Sequence, residues 1–357
     1  MSKHSTGYDY VPDGGSDRVL KDGELCFASA GLDHGHIFAM TQGLISTGAS
    51  CKYVWDSDPK KVEDFLRRFP NVKVANSLEE IMADSSVKLI ANASIPSDRF
   101  AMGKLTLESG KDFFVDKPPF TTLEQLCEAE KLVEKTGKIW MPYYAERVHN
   151  EAAEIANSLI KEGKIGRVLQ VLILAPHRLS KAARPDWFFK KQKYGGILCD
   201  IGSHQFEQFL EFTGAETADI KFARTANFAN PETPELEDFG EALLETDTGA
   251  SCYCRVDWFT PDSLPVWGDG RVFVLGTLGY IEVRKYIDFS RQGNPSQTLY
   301  INNNEGMQML DCRGRGFPFF GKFALDILNR TQNAMTQKHA FEAARLALKA
   351  QKLANEK

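Results

Sequence analysis

The feature that most constrains this 357-residue chain is a regular alternation of short apolar runs with helix-period segments from about residue 23 to 145. ELCFASA reads as a buried strand, GLDHGHIFAMTQGLIS turns into a helix, and CKYVWD is a second strand ending at Asp56. PKKVEDFLRRF carries Val62, Phe65, Leu66 and Phe69 at helical spacing, with Pro59 suited to a first turn. Ser77 with Glu80 and Thr122 with Gln125 have capping-box spacing, and Gly110 and Gly137 close the helices between them. VKLIANA, KDFFVDK and KIWMPYY supply the remaining strands. Strand, helix and strand repeated in this way predict a parallel sheet covered on both faces, a doubly wound domain over residues 23–145.

After the helix HNEAAEIANSLIKEG the texture changes to RVLQVLILA, DIKFARTANF, EDFGEALLET, ASCYCRVDWF and RVFVLGTLGYIEV. Turns such as Thr246-Asp247-Thr248-Gly249 join these runs, which suits antiparallel pairing. The expected class is α/β: an N-terminal Rossmann sheet plus a C-terminal α+β domain, residues 146–357, with a large, mainly antiparallel open sheet. HAFEAARLALKAQKLA is an amphipathic helix expected to dock on a domain. Residues 1–22 are polar and aperiodic and read as an arm that orders against another part of the protein or another subunit.

Composition excludes several function classes. Hydrophobic residues are 43% and charged residues 25%, ordinary globular usage, and a net charge of −5 argues against a nucleic-acid or anionic-membrane partner. No apolar run reaches the roughly 20 residues of a membrane span, and MSKHSTGYDYVPDGGSDR lacks the apolar core of a secretory signal, so a cytoplasmic protein is expected. Seven cysteines without a C-x-x-C pair indicate buried free thiols rather than a disulfide frame or a zinc ribbon.

A dinucleotide site needs a strand, a glycine turn, a helix N-terminus and an acid at the end of the second strand. Asp56 stands in the acid position, about 25 residues after the turn, within the expected spacing. An acid there repels a 2′-phosphate and accepts from ribose hydroxyls, which favours NAD over NADP. The turn is irregular: GLDHGH has Gly31 and Gly35, with Asp33 and His36 where a regular G-x-G-x-x-G puts its later glycines. Taken alone, a structural glycine turn explains it as well as a phosphate cradle does.

In GGILCDIGSHQFEQ, Asp200 and His204 stand four apart, so on a helix they share one face. That is either a satisfied buried pair or a proton-handling site. A metal site is disfavoured, because no third ligand is identifiable.

Three items together, the irregular glycine turn, VDKPP after the fifth strand-like run and GGILCDIGSHQFEQ, resemble the Gfo/Idh/MocA family of NAD(P)-dependent oxidoreductases. The resemblance covers nearly the whole chain. The family's Glu-Lys-Pro motif corresponds to Asp116-Lys117-Pro118, with the acid shortened by a methylene, and its G-G-x-x-x-D-x-G-x-H motif to Gly195, Gly196, Asp200, Gly202 and His204. It implies hydride transfer between nicotinamide and a hydroxyl-bearing carbon, with Lys117, Asp200 and His204 as catalytic residues and a cis Lys-Pro bond. It sets Gly31, Asp33, His34, Gly35, His36, Asp56, Ser94, Pro96, Asp116 and Lys117 against NAD, which one version of the chemistry keeps tightly bound.

Oxidising a secondary alcohol requires a base for the hydroxyl proton, for which histidine is suited, and a cation beside the developing alkoxide. His204 is the expected base, Lys117 the alkoxide stabiliser and Asp200 their charge partner. His177, Arg178, Trp187 and Tyr194, with the catalytic trio, are the expected contacts for a sugar, cyclitol or glycoside, oxidised in one version at a glucosyl C3 hydroxyl. Two other readings are an NAD-dependent redox glycosidase and a non-enzymatic dinucleotide or sugar sensor. The resemblance also implies a homo-oligomer.

Overall fold

A computed structural model describes residues 10–356, which divide into two compact units. Of the described residues, the first comprises 10–143 together with Gly316–Phe341, and the second Tyr144–Arg315 together with 342–356.

The first unit is built on six parallel strands: β1 (Cys26–Ala30), β2 (Ser50–Trp55), β3 (Lys73–Val74), β4 (Val87–Asn92), β5 (Asp112–Asp116) and β6 (Trp140–Tyr143). Their order, β3-β2-β1-β4-β5-β6, reverses direction beside β1, where an open sheet of this kind leaves a crevice at its carboxyl end. Local chemistry starts three of its helices where the sequence signals it. Asp58 accepts from Lys60 N at 2.9 Å ahead of Pro59, Ser77 Oγ accepts from Glu80 N, and Thr122 Oγ1 from Gln125 N. The helix Leu123–Thr136 ends at Gly137 in the left-handed region, φ 64°.

Residues 316–341 complete this unit. On the helix Pro318–Asn329, Phe319, Phe320 and Phe323 surround the ring of Phe114 on β5. The described part of the arm orders against the same unit: Val19 and Leu20 donate to Thr47 O, Ser16 Oγ donates to Phe317 O, and Leu20 is buried.

The second unit carries β7 (Val168–Pro176), β8 (Ala218–Ala226), β9 (Phe239–Thr246), β10 (Ser251–Asp257), β11 (Arg271–Gly276), β12 (Gly279–Arg284), β13 (Thr298–Asn303) and β14 (Gly306–Asp311). The sheet order is β14-β13-β12-β11-β7-β10-β9-β8, antiparallel except for the parallel pair β7 and β10. RVFVLGTLGYIEV is therefore a hairpin and not one strand, turning at Thr277-Leu278. Burial alternates along β9, β10 and β11, so one face packs inward and the other looks out. All seven cysteines are free, and Cys199, Cys252, Cys254 and Cys312 are buried. Among the described residues no helix is long and apolar enough to cross a membrane.

Candidate active site

At the carboxyl end of β1 the chain turns at Gly31, whose φ of +78° favours glycine; an added Cβ would lie 2.5 Å from Asn92 Nδ2. Asp56, just past β2, accepts from Leu32 N at 2.6 Å and Asp58 N at 2.9 Å, so the acid expected at a ribose also braces the turn. Where a regular motif has its second glycine, Asp33 accepts from Lys61 Nζ at 2.6 Å and Ile95 N at 3.2 Å. The helix His36–Ser46 starts at Gly35, which has no side chain to cap it; His36 N donates to His34 Nδ1 at 3.2 Å, and Ile37 N and Phe38 N donate to the carbonyls of His34 and Gly35, both at 3.2 Å. A glycine turn at the end of β1, a helix that follows it and Asp56 just past β2 together fit a dinucleotide. Ser94, whose Oγ donates to Asn92 Oδ1 at 2.9 Å, and Pro96, which opens the helix Pro96–Glu108, stand on the neighbouring loop.

His36 has a different task from the glycine it replaces. Its Nδ1 pairs with Asp116 Oδ1 at 2.8 Å, while His34 Nδ1 lies 3.4 Å from Oδ2. Arg99, fully buried, donates to Asp116 Oδ2 at 3.0 Å, Ser94 O at 2.7 Å and Pro118 O at 3.1 Å. Lys117 N donates to Asp116 Oδ1 at 2.8 Å, and the Lys117-Pro118 bond is cis. Burial favours the neutral acid, yet His36, Arg99 and His34 together hold the Asp116 carboxyl well below the usual range. Burial and the neighbouring His36 push His34 well below its ordinary value, so it is neutral near pH 7. His34, His36 and Asp116 could in principle ligate a metal, but the guanidinium already seated on that carboxylate disfavours a further cation.

In the second unit, Gly195 and Gly196 have φ of 88° and 93°, and helix begins at Ile197. Asp200 N donates to Gly196 O and Ile201 N to Ile197 O, Ile201 stays helical, and Gly202–Thr213 continues the run. Asp200 and His204 therefore lie in one helical stretch, and both are buried. The side chain that enters beside Gly196 is Gln351, whose Cδ an added Cβ would meet at 2.2 Å.

Around His204 lies a buried polar cluster, with the Tyr144 ring edge-on at 6.4 Å. Glu146 accepts from Lys285 Nζ at 3.1 Å and Gln205 Nε2 at 3.2 Å, with His177 Nε2 at 3.8 Å. Lys285 also donates to Gln208 Oε1 at 2.7 Å, and Gln208 Nε2 donates to His204 O at 3.0 Å. Burial opposes the Glu146 charge, but Lys285, His204 and His177 hold its carboxyl down at about 2. Burial likewise pushes the Lys285 ammonium down, and Glu146 pulls it back.

The remaining expected substrate contacts divide. His177 is partly open, packed on Trp267 at 4.5 Å and Trp258 at 5.4 Å. Trp187 is half-buried on the turn Asp186–Phe189, beside Phe188. Tyr194 is buried, with its hydroxyl donating to Glu235 O and accepting from Glu237 N, both at 3.0 Å. Arg178 donates to Pro261 O at 2.8 Å and to Leu264 O, which binds it to the loop before β11. Sequence reasoning missed Arg99, Lys61 and Lys285, cations in segments whose pattern speaks only of helix or strand. A cation next to ASIP or after β12 carries no periodic signal; only burial reveals it.

Residues 31–144 match the model of an oxidoreductase family with an NAD-binding Rossmann fold, and residues 154–282 match the GFO/IDH/MocA C-terminal domain. The first unit is accordingly an NAD-binding Rossmann domain. The crystal structure of a candidate oxidoreductase from Erwinia carotovora atroseptica is 48% identical, covering 93% of this chain and 99% of that one, with a TM-score of 0.90. The NADP(+)-dependent scyllo-inositol 2-dehydrogenase IolW of Bacillus subtilis is 25% identical over 52% of this chain and 50% of its own length. An NAD(+)-dependent scyllo-inositol 2-dehydrogenase of the same organism is 27% identical over 67% of this chain and 68% of its own. The chain thus spans between half and two thirds of the length of these curated relatives.

Proposed function

The chain belongs to the Gfo/Idh/MocA family of oxidoreductases, and we propose that it oxidises a secondary hydroxyl of a sugar, cyclitol or glycoside, with a glucosyl C3 hydroxyl as one version. The observation that carries this reading is the buried helical run that bears Asp200 and His204, with the Glu146–Lys285 pair next to His204, an acid–base set beyond what packing alone requires. NAD, when bound, supplies the acceptor for the hydride that leaves the carbinol carbon. Gly31 to His36, Asp56, Ser94 and Pro96 are the residues that would hold it.

The chain's own part is proton handling. His204 takes the hydroxyl proton, leaving the oxygen to form the carbonyl as the C–H electron pair departs. Lys117 stabilises the negative charge that builds on that oxygen, with Asp116 orienting its backbone through the 2.8 Å bond. Asp200 is the charge partner of this pair. His177 and Trp187 are the substrate contacts this reading favours, since both keep exposed surface.

The test is nicotinamide reduction on a panel of cyclitols, free sugars and glycosides with the purified protein. His204→Ala should lower turnover about 100-fold or more while NADH binding persists. Near-normal turnover in that variant rejects the assignment, and release of free sugar without accumulating NADH redirects it to a redox glycosidase.

A cytoplasmic location suits seven free cysteines, which stay reduced there. We also propose that copies of the chain associate through the outward sheet face. Leu275, Tyr280 and Met307 are exposed and follow one another across the ladder through Asn302, with Leu278 and Met309 nearby, a larger apolar patch than scattered surface residues make. A monomer mass by light scattering refutes this.

A further inference from the structure

We infer that Glu237 and Gln351 are positioning residues that set the register of the helix bearing Asp200 and His204; the inference rests on the catalytic reading above. The start of a helix leaves its first N–H groups without intrahelical partners. Here the residue in the cap position is Gly196, which has no side chain to serve them. Two remote side chains do so instead. Ile197 N donates to Glu237 Oε2 at 2.8 Å, and Leu198 N donates to Gln351 Oε1 at 2.9 Å.

The two acceptors are locked to each other. Gln351 Nε2 donates to both Glu237 oxygens, at 3.0 and 3.1 Å. Thr225 Oγ1 and Lys191 Nζ donate to Glu237 Oε1, and Tyr194 Oη accepts from Glu237 N. Both side chains are buried, at 6% and 4% exposure, so neither competes with water for its partners. Glycine at 196 is what admits the Gln351 amide. A carboxylate at this end also meets the positive pole of the helix run.

The arrangement exceeds what simple packing needs. A volume-filling contact would hold the helix at a distance, whereas two directed acceptors on consecutive N–H groups fix its rotation and its rise. Rotation decides where a side chain one turn onward points, and Asp200 and His204 follow Leu198 by two and six residues. A misplacement of about 1 Å costs a reacting group on the order of 100-fold in rate. Gln351 reaches this turn from the last helix, Gln337–Asn355, more than a hundred residues onward in the chain.

The discriminating experiment exchanges the amide and the carboxylate. Glu237→Gln faces the Lys191 and Gln351 donors with a third donor group, and Gln351→Glu brings two carboxylates together. The double variant Glu237→Gln/Gln351→Glu restores one amide, one carboxylate and both helix-capping acceptors. In each single variant, hydrogen exchange at amides 197–200 should rise about tenfold. The His204 imidazole titration, followed by NMR, should move. The kcat on the best substrate of the panel should fall about tenfold or more with NADH affinity unchanged, and the double variant should recover to within about threefold.

Gln351→Met, which keeps the volume and removes the polar atoms, carries the same expectation as the single exchanges if either fails to fold. Wild-type exchange and titration in the single variants, unchanged kcat where exchange has risen, or a double variant no better than the singles each overturn the inference. His204→Ala separates the two readings: if it is inactive while the exchange variants behave as wild type, only the positioning role falls. If it is active, the catalytic assignment falls instead.

Discussion

Replacing Glu146 by glutamine should be among the costliest changes in the second unit, because it strands a buried cation. Lys285 is fully buried and has Glu146 Oε2 at 3.1 Å and Gln208 Oε1 at 2.7 Å. Two unit charges 3.1 Å apart attract by about 5 kcal/mol at an effective dielectric of about 20. Breaking a buried pair from one side costs about 3–5 kcal/mol, since the remaining charge keeps its desolvation and loses its compensation. Glu146→Gln should lower the unfolding free energy in guanidinium by about that amount at pH 7. Glu146→Gln/Lys285→Met should recover most of it, because a neutral amide and a thioether of similar volume carry no charge to desolvate.

The sign of the pH dependence follows from Lys285. Its affinity for a proton is already lower in the folded chain than in the unfolded one, and loss of Glu146 lowers it further. The unfolded state then binds more protons, so stability rises with pH; the deficit is greatest near and below neutrality and narrows toward about pH 10, where unfolded lysine also titrates. Guanidinium melts across that range measure it. A neutral-pH cost below about 1 kcal/mol, a deficit that ignores pH, or a double variant no more stable than the single one refutes the reasoning.

Two further outcomes follow from the first unit. His34, neutral in the fold, must gain a proton on unfolding below its ordinary value of 6.5, so stability falls as pH drops through that value at up to about 1.4 kcal/mol per unit. His34→Asn should flatten thermal melts between about pH 7 and 5, and an unchanged slope counts against a neutral His34. Asp56→Ser removes the acceptor for Leu32 N and the acid set against the ribose, so NADH binding should weaken about tenfold and discrimination against NADPH should shrink. Fluorescence titration with both nucleotides checks this, and an unaltered preference excludes Asp56 as the discriminating group.

Local chemistry made the first unit legible. Capping pairs, Gly137 and the strand-helix alternation act within a few residues of themselves, so the parallel sheet and Asp56 could be read directly. The second sheet was readable where apolar residues alternate, as in ASCYCRVDWF, and was lost where they do not. TLYINN and GMQMLD form β13 and β14, but β13 ends in Asn302 and Asn303 and β14 is exposed along nearly its whole length, and a run of asparagines reads as a turn.

The irregular glycine turn was legible as a departure but not as a design. That Asp33 binds Lys61, and His36 binds Asp116 from 80 residues onward, depends on tertiary proximity that no spacing rule encodes. The same holds for Gly196, whose space is taken by Gln351, 155 positions later.

The nucleotide-binding unit is closed by residues from near the far end of the chain, and this governs the order of events during synthesis. A nascent chain emerging from the ribosome can pair β1 through β6 early, yet the Phe114 side of that sheet stays wet until Phe319, Phe320 and Phe323 are translated. In the meantime the whole eight-stranded sheet passes through the exit tunnel. A stop codon shortly before 316 should therefore yield an aggregation-prone truncated product in which the dinucleotide-binding unit is left open, and fusions or split versions of this protein need residues 316–341 supplied with the N-terminal segment that ends at Tyr143.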